Sequence, residues 1–212
     1  MIYIECLTFG PFQENTYIVF NDNNEAIIFD PGCNNSQERE LLSSLIERKK
    51  LQVVKLVNTH CHIDHVLGNK YVADKYGVSL EAHELEKTVL DSCEMVSSMY
   101  GIPYEKSPSI KTWINEGDNF SLGKEQFEVL LCPGHSPGSI CFYHADSKSC
   151  IGGDVLFQNS IGRTDLPGGD YNTLISSIKN KLFLLPDDTR VYSGHGPSTT
   201  IGFEKKTNPF LT

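Results

Sequence analysis

Apolar runs rich in valine, isoleucine and phenylalanine recur along the chain and are separated by turn-forming residues. Runs of this length and composition are typical of β-strands. They predict strands at residues 2–9, 16–20, 25–29, 53–58, 110–114, 126–131, 139–144, 149–153 and 190–193, with a turn at residues 21–24. Strands therefore form much of the expected fold.

Two other segments carry apolar residues at helical spacing. One stripe comprises Leu41, Leu42, Leu45 and Ile46, and the other comprises Leu174, Ile175, Ile178 and Leu182. Blocks of strands followed by such helices favour sheets that are covered by helices on the outside. No repeat, low-complexity segment or linker-like run interrupts the chain, so residues 1–212 are expected to form a single domain.

The composition of the 212 residues excludes several classes of protein. Hydrophobic residues make up 39% and charged residues 21%, and no apolar stretch approaches the roughly 20 residues that cross a bilayer. Residues 1–6 lack a basic region and alternate like a strand, unlike a secretory signal. We therefore expect a cytoplasmic protein with no membrane partner.

The cysteines and the net charge exclude further classes of protein. Seven scattered cysteines without a Cys-x-x-Cys pair argue against a disulfide framework and against a thiolate zinc knuckle. The formal net charge of −9 disfavours nucleic-acid binding, which depends on clustered lysine and arginine. An anionic small substrate stays possible, because bound metal ions would place positive charge in a cleft.

The densest group of metal-ligand residues follows the predicted strand 53–58. Residues 59–65 read Thr-His-Cys-His-Ile-Asp-His and contain His60, His62, Asp64 and His65. Imidazole and carboxylate groups are suitable zinc ligands. His60 and His62 can point the same way from an extended segment, whereas Asp64 and His65 fall where a helix through Val72 would begin. The motif predicts two adjacent metal sites; the alternative is a solvated histidine-rich turn.

Three further candidates follow predicted strands in glycine-rich loops. They are His135 in Cys-Pro-Gly-His-Ser-Pro-Gly, Asp154 in Gly-Gly-Asp, and His195 in Ser-Gly-His-Gly-Pro. A histidine in such a loop is, by itself, more often a surface residue than a ligand. Together with residues 60–65, however, these three complete a pattern that indicates a metal centre built on loops.

This order of motifs resembles the metallo-β-lactamase superfamily over nearly the whole chain. The resemblance implies an αβ/βα sandwich, with two mixed sheets face to face and helices on the outer faces. It also implies a division of the ligands: His60, His62 and His135 for one metal, Asp64, His65 and His195 for the other, and Asp154 between them. Asp30, in Phe-Asp-Pro-Gly, matches the family's first motif and would orient a ligand; the alternative is a simple turn.

Within the superfamily, the chain is most similar to the short, single-domain hydroxyacylglutathione hydrolases of the glyoxalase II type. Lactamases carry Cys or Ser where this chain has Asp154; Cys61, between two ligands, is interpreted as a buried thiol. The resemblance implies hydrolysis of a thioester such as S-lactoylglutathione, with a metal-bridging hydroxide as nucleophile that Asp64 helps to orient. Arg163 matches a lysine that contacts glutathione in the longer enzymes; the alternative is an ion pair with Asp165 or Asp170.

Other functions remain open at this point. An iron-dependent persulfide dioxygenase of the same fold shares a segment like residues 162–165, but its last motif differs from Ser-Gly-His-Gly-Pro. An RNA-processing nuclease is disfavoured by the net charge, and a structural zinc module would close at four ligands. His83 and His144 fall outside the pattern and are expected to be ordinary polar residues.

The expected cofactors are two divalent metal ions. Zinc fits the ligand types, and iron or manganese also fit them. The expected partner is a small-molecule thioester, and the sequence does not define an oligomeric state.

Overall fold

The computed structural model describes residues 1–212 and contains two six-stranded sheets and a separate hairpin. The strands are β1 (Ile2–Phe9), β2 (Glu14–Asn21), β3 (Glu25–Phe29), β4 (Gln52–Val57), β5 (Leu80–Ala82), β6 (Thr112–Trp113), β7 (Phe120–Leu122), β8 (Glu125–Leu131), β9 (Ile140–His144), β10 (Ser149–Gly153), β11 (Leu156–Phe157), β12 (Ser160–Ile161), β13 (Arg190–Ser193) and β14 (Thr199–Thr200). The α-helices are α1 (Ser36–Lys49), α2 (Ile63–Val66), α3 (Asn69–Tyr76), α4 (Lys87–Tyr100), α5 (Tyr171–Asn180) and α6 (Ile201–Thr207).

Each sheet mixes antiparallel and parallel pairs. The first has the strand order β1-β2-β3-β4-β5-β6, with antiparallel pairing up to β3 and parallel pairing from β3 to β6. The second has the order β14-β13-β10-β9-β8-β7, in which only β10 and β13 are parallel. Parallel pairs need helical crossovers, and α1 provides one between β3 and β4.

The core is layered because side chains alternate along each strand. Tyr17, Val19 and Phe29 face the second sheet and join a cluster with Phe142 and Ile151. Ile18, Ile28 and Leu56 point the other way and pack with the helices of the first half. A third cluster joins the outer face of the second sheet to α5 and α6. The predicted αβ/βα sandwich, with two mixed sheets and helices on the outer faces, is confirmed.

Local signals in the sequence fix where the two predicted helices begin. The Asn35 side chain accepts a hydrogen bond from the backbone N–H of Glu38 and starts α1. Asp170 does the same for Thr173 at the start of α5. Such caps satisfy backbone donors that have no partner within the first helical turn.

The structure corrects three local expectations. The single helix expected to run from Asp64 through Val72 is split into α2 and α3, with Leu67 and Gly68 between them. The strand predicted at residues 110–114 contains only Thr112–Trp113. Leu182 lies in a 3₁₀ turn beyond the end of α5, although its side chain is buried as the apolar stripe predicted.

Helix α4 has no counterpart among the predicted elements. Leu90 and Cys93 face the core, but Met95 and Met99 on the other side are 63% and 77% exposed. Apolar residues on both faces obscure the helical period that an amphipathic pattern would show.

All seven cysteines are free thiols, and all except Cys6 are buried. None of the six α-helices has the length and apolar character that a membrane span requires.

Candidate metal centre

The predicted site residues lie together at one edge of the sandwich because five strands end there. Strands β3 and β4 run parallel in the first sheet, and β8, β10 and β13 share one direction in the second. The loops that follow these strands carry the candidate residues Asp30, His60, His62, His135, Asp154 and His195. Asp64 and His65 are in the short helix α2 that continues the first of these loops.

The first group of candidate ligands contains three imidazoles. Nε2 of His60 is 3.2 Å from Nε2 of His135, which is 2.8 Å from Nδ1 of His62. Two nitrogens bound tetrahedrally to one ion at 2.0–2.1 Å would be about 3.3 Å apart. The spacing of these nitrogens therefore suits a shared cation.

The second group contains Asp64, His65 and His195, whose ligand atoms all lie within 4.8 Å of one another. Nε2 of His195 is 3.1 Å from Oδ2 of Asp64, and Nε2 of His65 is 3.8 Å from the same oxygen. Mixed nitrogen and oxygen donors of this kind accept zinc, iron or manganese.

Asp154 lies between the two groups. Its Oδ1 is 3.5 Å from Nε2 of His65, and its Oδ2 is 3.5 Å from Nε2 of both His135 and His195. One carboxylate thus faces donors of both groups, as a residue that bridges two ions must.

Backbone carbonyls orient two of the histidines. Nδ1 of His135 donates to the carbonyl of Arg163 at 2.8 Å, and Nδ1 of His195 donates to the carbonyl of Phe12 at 3.0 Å. A carbonyl only accepts, so in both rings Nδ1 carries a proton, and Nε2 is the nitrogen that faces the centre. The contribution of Arg163 here comes from its main chain.

Asp30 contacts the residues around the ligands rather than the centre itself. Its two oxygens accept hydrogen bonds from the backbone N–H and the hydroxyl of Thr59 at 2.7 and 2.6 Å. Its Oδ2 is also 3.2 Å from Nδ1 of His65, on the side of the ring away from Asp154. The carboxylate is therefore placed to orient His65.

The imidazoles of the first group are uncharged at neutral pH. Burial, together with the neighbouring His135 and His65, lowers the pKa of His62 to about 3. Burial also lowers the pKa of His60 well below its usual range, and that of His135 to a lesser degree. Neutral imidazoles have lone pairs available for a metal ion.

The second group is dominated by carboxylate charge. Burial lowers the pKa of His65, but the charges of Asp154 and Asp64 act against it and raise that pKa well above its usual range. Burial raises the pKa of Asp154, but His65 outweighs it, and the carboxyl pKa is lowered overall. Asp154 is thus ionised at neutral pH and can pair with a cation.

Two buried atoms at the centre indicate that a cation completes it. Nε2 of His65 and Oδ1 of Asp154 are shielded from solvent and have no hydrogen-bond partner within the protein. Buried polar atoms are nearly always satisfied, and a metal ion would satisfy both. Packing here is also tight: a Cβ on Gly194 would lie 2.1 Å from Oδ1 of Asp154. The donor set therefore fits a metal centre.

Solvent reaches the centre beside Asp64 and His195. His60 and His65 are fully buried, whereas the side chains of Asp64 and His195 are 16% and 27% exposed. The ring centroid of Phe157 lies 6.3 Å from that of His195. A small molecule can therefore reach the second group from solvent.

Arg163 makes an ion pair on the surface. Its Nε and Nη2 donate to Oδ1 and Oδ2 of Asp165, each at 2.7 Å, and both side chains are more than half exposed. Asp170, the other partner considered above, instead caps α5. Of the two partners considered for an internal ion pair of Arg163, the structure shows Asp165.

The remaining histidines and Cys61 have local partners. Nδ1 of His83 accepts from the backbone N–H of Leu85, and the two ring nitrogens of His144 face Ser147 and Glu125. Cys61 is fully buried, and burial raises the pKa of its thiol well above the usual range. A protonated, inaccessible thiol is a poor ligand or nucleophile.

Two residues at the start of β2 contact the centre but carry no sequence signal. Asn15 donates from Nδ2 to the carbonyls of Ser193 and Gly196 and so holds the loop of His195. Glu14 is 1% exposed, with Oε1 4.0 Å from Nδ1 of His65. Their partners lie far along the chain, so no local motif could have revealed them.

Comparison with known proteins agrees with the fold. The family model of the metallo-beta-lactamase superfamily matches residues 9–195. The chain belongs to this superfamily and is a metallo-hydrolase.

Three proteins are similar to this chain over nearly its whole length. The hydroxyacylglutathione hydrolase GloC of Haemophilus influenzae is 41% identical over 98% of this chain and 97% of its own. The crystal structure of BLEG-1 B3 metallo-beta-lactamase matches with a TM-score of 0.91 at 39% identity, covering 99% of this chain and 100% of that one. The structure of TTHA1623 in a di-iron-bound form matches with a TM-score of 0.88 at 36% identity, covering 98% and 100%.

Proposed function

We propose that this protein hydrolyses a thioester of a small thiol, such as S-lactoylglutathione, at a centre of two divalent metal ions. The observation that carries the proposal is the pair of donor groups that face a single carboxylate, Asp154. The substrate class is supported by the 41% identity to the hydroxyacylglutathione hydrolase GloC.

In this proposal, the two groups described above bind one ion each. His60, His62 and His135 bind the first ion, Asp64, His65 and His195 bind the second, and Asp154 contacts both. Bound divalent ions supply a water nucleophile at neutral pH and positive charge beside a carbonyl oxygen. Asp64 faces the open side and orients the attacking water, while Asp30 keeps the His65 ring in place.

The surroundings of the centre favour a leaving group that departs without a proton. Besides the ligands, the carboxylates of Asp30, Glu14 and Glu86 lie next to the ligand segments, and all three residues are at most 1% exposed. None of them can reach a bound substrate to act as a general acid. A thiol has a pKa near 8.5, so a thiolate leaves readily, whereas the amine of an amide needs protonation.

The reaction is expected to proceed without oxygen. The purified protein should release thiol from S-lactoylglutathione in anaerobic buffer at the same rate as in air, because hydrolysis consumes only water. A thiol reagent measures the release of thiol, and an oxygen electrode measures oxygen uptake in the same sample.

Two results would contradict the thioester proposal. Oxygen uptake driven by glutathione persulfide, without thioester cleavage, would favour the dioxygenase alternative. Cleavage of a chromogenic β-lactam with a kcat/KM above that for thioesters would favour a lactamase, a possibility supported by the similarity to BLEG-1.

Arg163 is proposed to contact a carboxylate of the thiol part of the substrate. Its ion pair with Asp165 is exposed, and exposed pairs contribute little to stability, so a substrate carboxylate can replace Asp165. A guanidinium matches the geometry of a carboxylate with two parallel hydrogen bonds.

We expect Arg163→Ala to lower kcat/KM for S-lactoylglutathione by roughly tenfold to a hundredfold, mainly by raising KM. An uncharged thioester should be cleaved at the parental rate, because it has no carboxylate to lose. Asp165→Ala should leave KM unchanged or lower it, since it frees the guanidinium.

Lys148→Ala is the matched control, because Lys148 forms a comparable exposed ion pair with Asp188. Steady-state kinetics on the charged and the uncharged thioester measure kcat and KM for each variant. Equal losses on the charged and the uncharged thioester, or no loss on either, would mean that Arg163 does not bind the substrate.

A further inference from the structure

A buried carboxylate beside the centre connects two of the ligand loops. Glu86 ends a 3₁₀ turn directly before α4, and it is completely buried. Its Oε2 accepts a hydrogen bond from the backbone N–H of Cys61 at 2.7 Å. Its Oε1 accepts from the hydroxyl of Ser136 at 2.5 Å and from the backbone N–H of Gly138 at 2.7 Å.

These three donors belong to the loops of the first group alone. Cys61 lies between His60 and His62, and Ser136 directly follows His135. No hydrogen bond joins Glu86 to α2, to Asp154 or to the loop of His195. The carboxylate thus spans the gap between the two segments that present the first three imidazoles.

The loop around His135 is fitted closely to Glu86. A Cβ on Gly138 would lie 2.9 Å from Cγ of Glu86 and 3.1 Å from its backbone nitrogen, so a side chain there would push the loop away. Helix α4 adds a second contact to Cys61, because the thiol of Cys93 donates to the carbonyl of Cys61 at 3.3 Å. Both backbone polar groups of Cys61 are therefore held by the segment from Glu86 to α4.

We propose that Glu86 is a positioning residue that sets the distance between the His60–His62 segment and His135, and thereby the affinity of the first metal ion but not of the second. The inference rests on the ligand assignment proposed above. Residues that hold ligands in place without touching the metal commonly change metal affinity by about 10- to 100-fold when they are replaced.

Glutamine at this position tests the carboxylate with little change in volume. Three donors face Glu86, and a carboxylate offers acceptors on both oxygens, whereas an amide offers one oxygen and one NH₂ group. In Glu86→Gln, an N–H therefore faces either Cys61 or the Ser136–Gly138 pair, and the two segments move apart. A buried donor without an acceptor makes this rearrangement unavoidable.

The experiment is a titration of the chelator-treated protein with Co²⁺, whose visible absorption reports the ligands of each ion. We expect Glu86→Gln to bind one ion with parental affinity and the other about 10- to 100-fold more weakly. His135→Ala and His195→Ala give reference spectra for damage to the first and second groups, and the Glu86→Gln spectrum should match that of His135→Ala. Ser136→Ala, which removes one of the three hydrogen bonds, should weaken the same ion by a smaller factor.

Glu84→Gln, an exposed residue of the same 3₁₀ turn, is the control and should bind both ions like the parent. A general structural role would weaken both ions equally, so equal losses, or parental affinity for both ions, would overturn the proposal. If Glu86→Gln does not fold, the same criteria apply to Ser136→Ala. A parent protein that binds fewer than two ions would instead contradict the ligand assignment, and the inference with it.

Discussion

Asp154→Ala is expected to reduce kcat/KM for thioester hydrolysis by about 10³-fold or more. The expectation follows from its position: its Oδ2 is 3.5 Å from His135 of the first group and from His195 of the second, and its Oδ1 is 3.5 Å from His65, so its loss affects both proposed ions at once. Removing a single charged or hydrogen-bonding group that acts on the transition state typically costs about 10²- to 10³-fold in rate. Removal of a group that serves two ions should lower the rate by at least the upper value, about 10³-fold.

Asp154→Asn separates charge from packing, because it preserves the shape of the side chain. It should lose nearly as much activity as Asp154→Ala, since an amide nitrogen facing an imidazole cannot bind a cation. Asp188→Asn, which removes a carboxylate from the exposed pair with Lys148, is the control and should retain parental activity. More than a tenth of parental activity in Asp154→Asn, with both ions still bound, would show that Asp154 does not bridge them.

Removal of the metal should abolish activity, and two ions per chain should restore it. The neutral imidazoles of the first group and the ionised Asp154 between the groups both have lone pairs available for divalent ions. We expect protein purified without chelators to contain close to two transition-metal ions. After dialysis against a chelator, the rate should fall by about 10³-fold or more, because water alone is a weak nucleophile at neutral pH.

Add-back of Zn²⁺, Fe²⁺ or Mn²⁺ to separate samples, with elemental analysis of each, identifies the ions that restore hydrolysis. The di-iron form of TTHA1623 makes iron a candidate beside zinc. Bound ions should also raise the unfolding temperature, since they bind the folded chain. A protein that never binds more than one ion, even after reconstitution, would rule out the two-metal centre.

The sequence predicted most of the long strands and the clustering of the candidate ligands, and the reasons are local. Strands β1, β3 and β8 bury alternate or continuous apolar faces, and these patterns are visible in a short window. Ligand-type residues at strand ends in glycine-rich loops are equally visible, and the structure brings all seven to one edge. Their metal-binding roles, like the single domain over residues 1–212, stay predictions.

What the sequence did not predict depends on contacts between distant segments. The role inferred for Glu86 arises from donors 25, 50 and 52 residues away. The link between Asn15 and the loop of His195 spans 178 and 181 residues. For Arg163, both readings were open in the sequence, and only the coordinates show that Asp165 is its partner in the free protein.

The wide separation of the ligands along the chain has a consequence for biosynthesis. Nε2 of His60 and Nε2 of His135 are 75 residues apart in the chain but only 3.2 Å apart in space, and the loop of His195 comes later still in the sequence. During synthesis, the first proposed site would therefore be incomplete until His135 has left the ribosome, and the second until His195 has left it. Each proposed ion would join loops of the two sheets, so docking of the two sheets should precede metal binding.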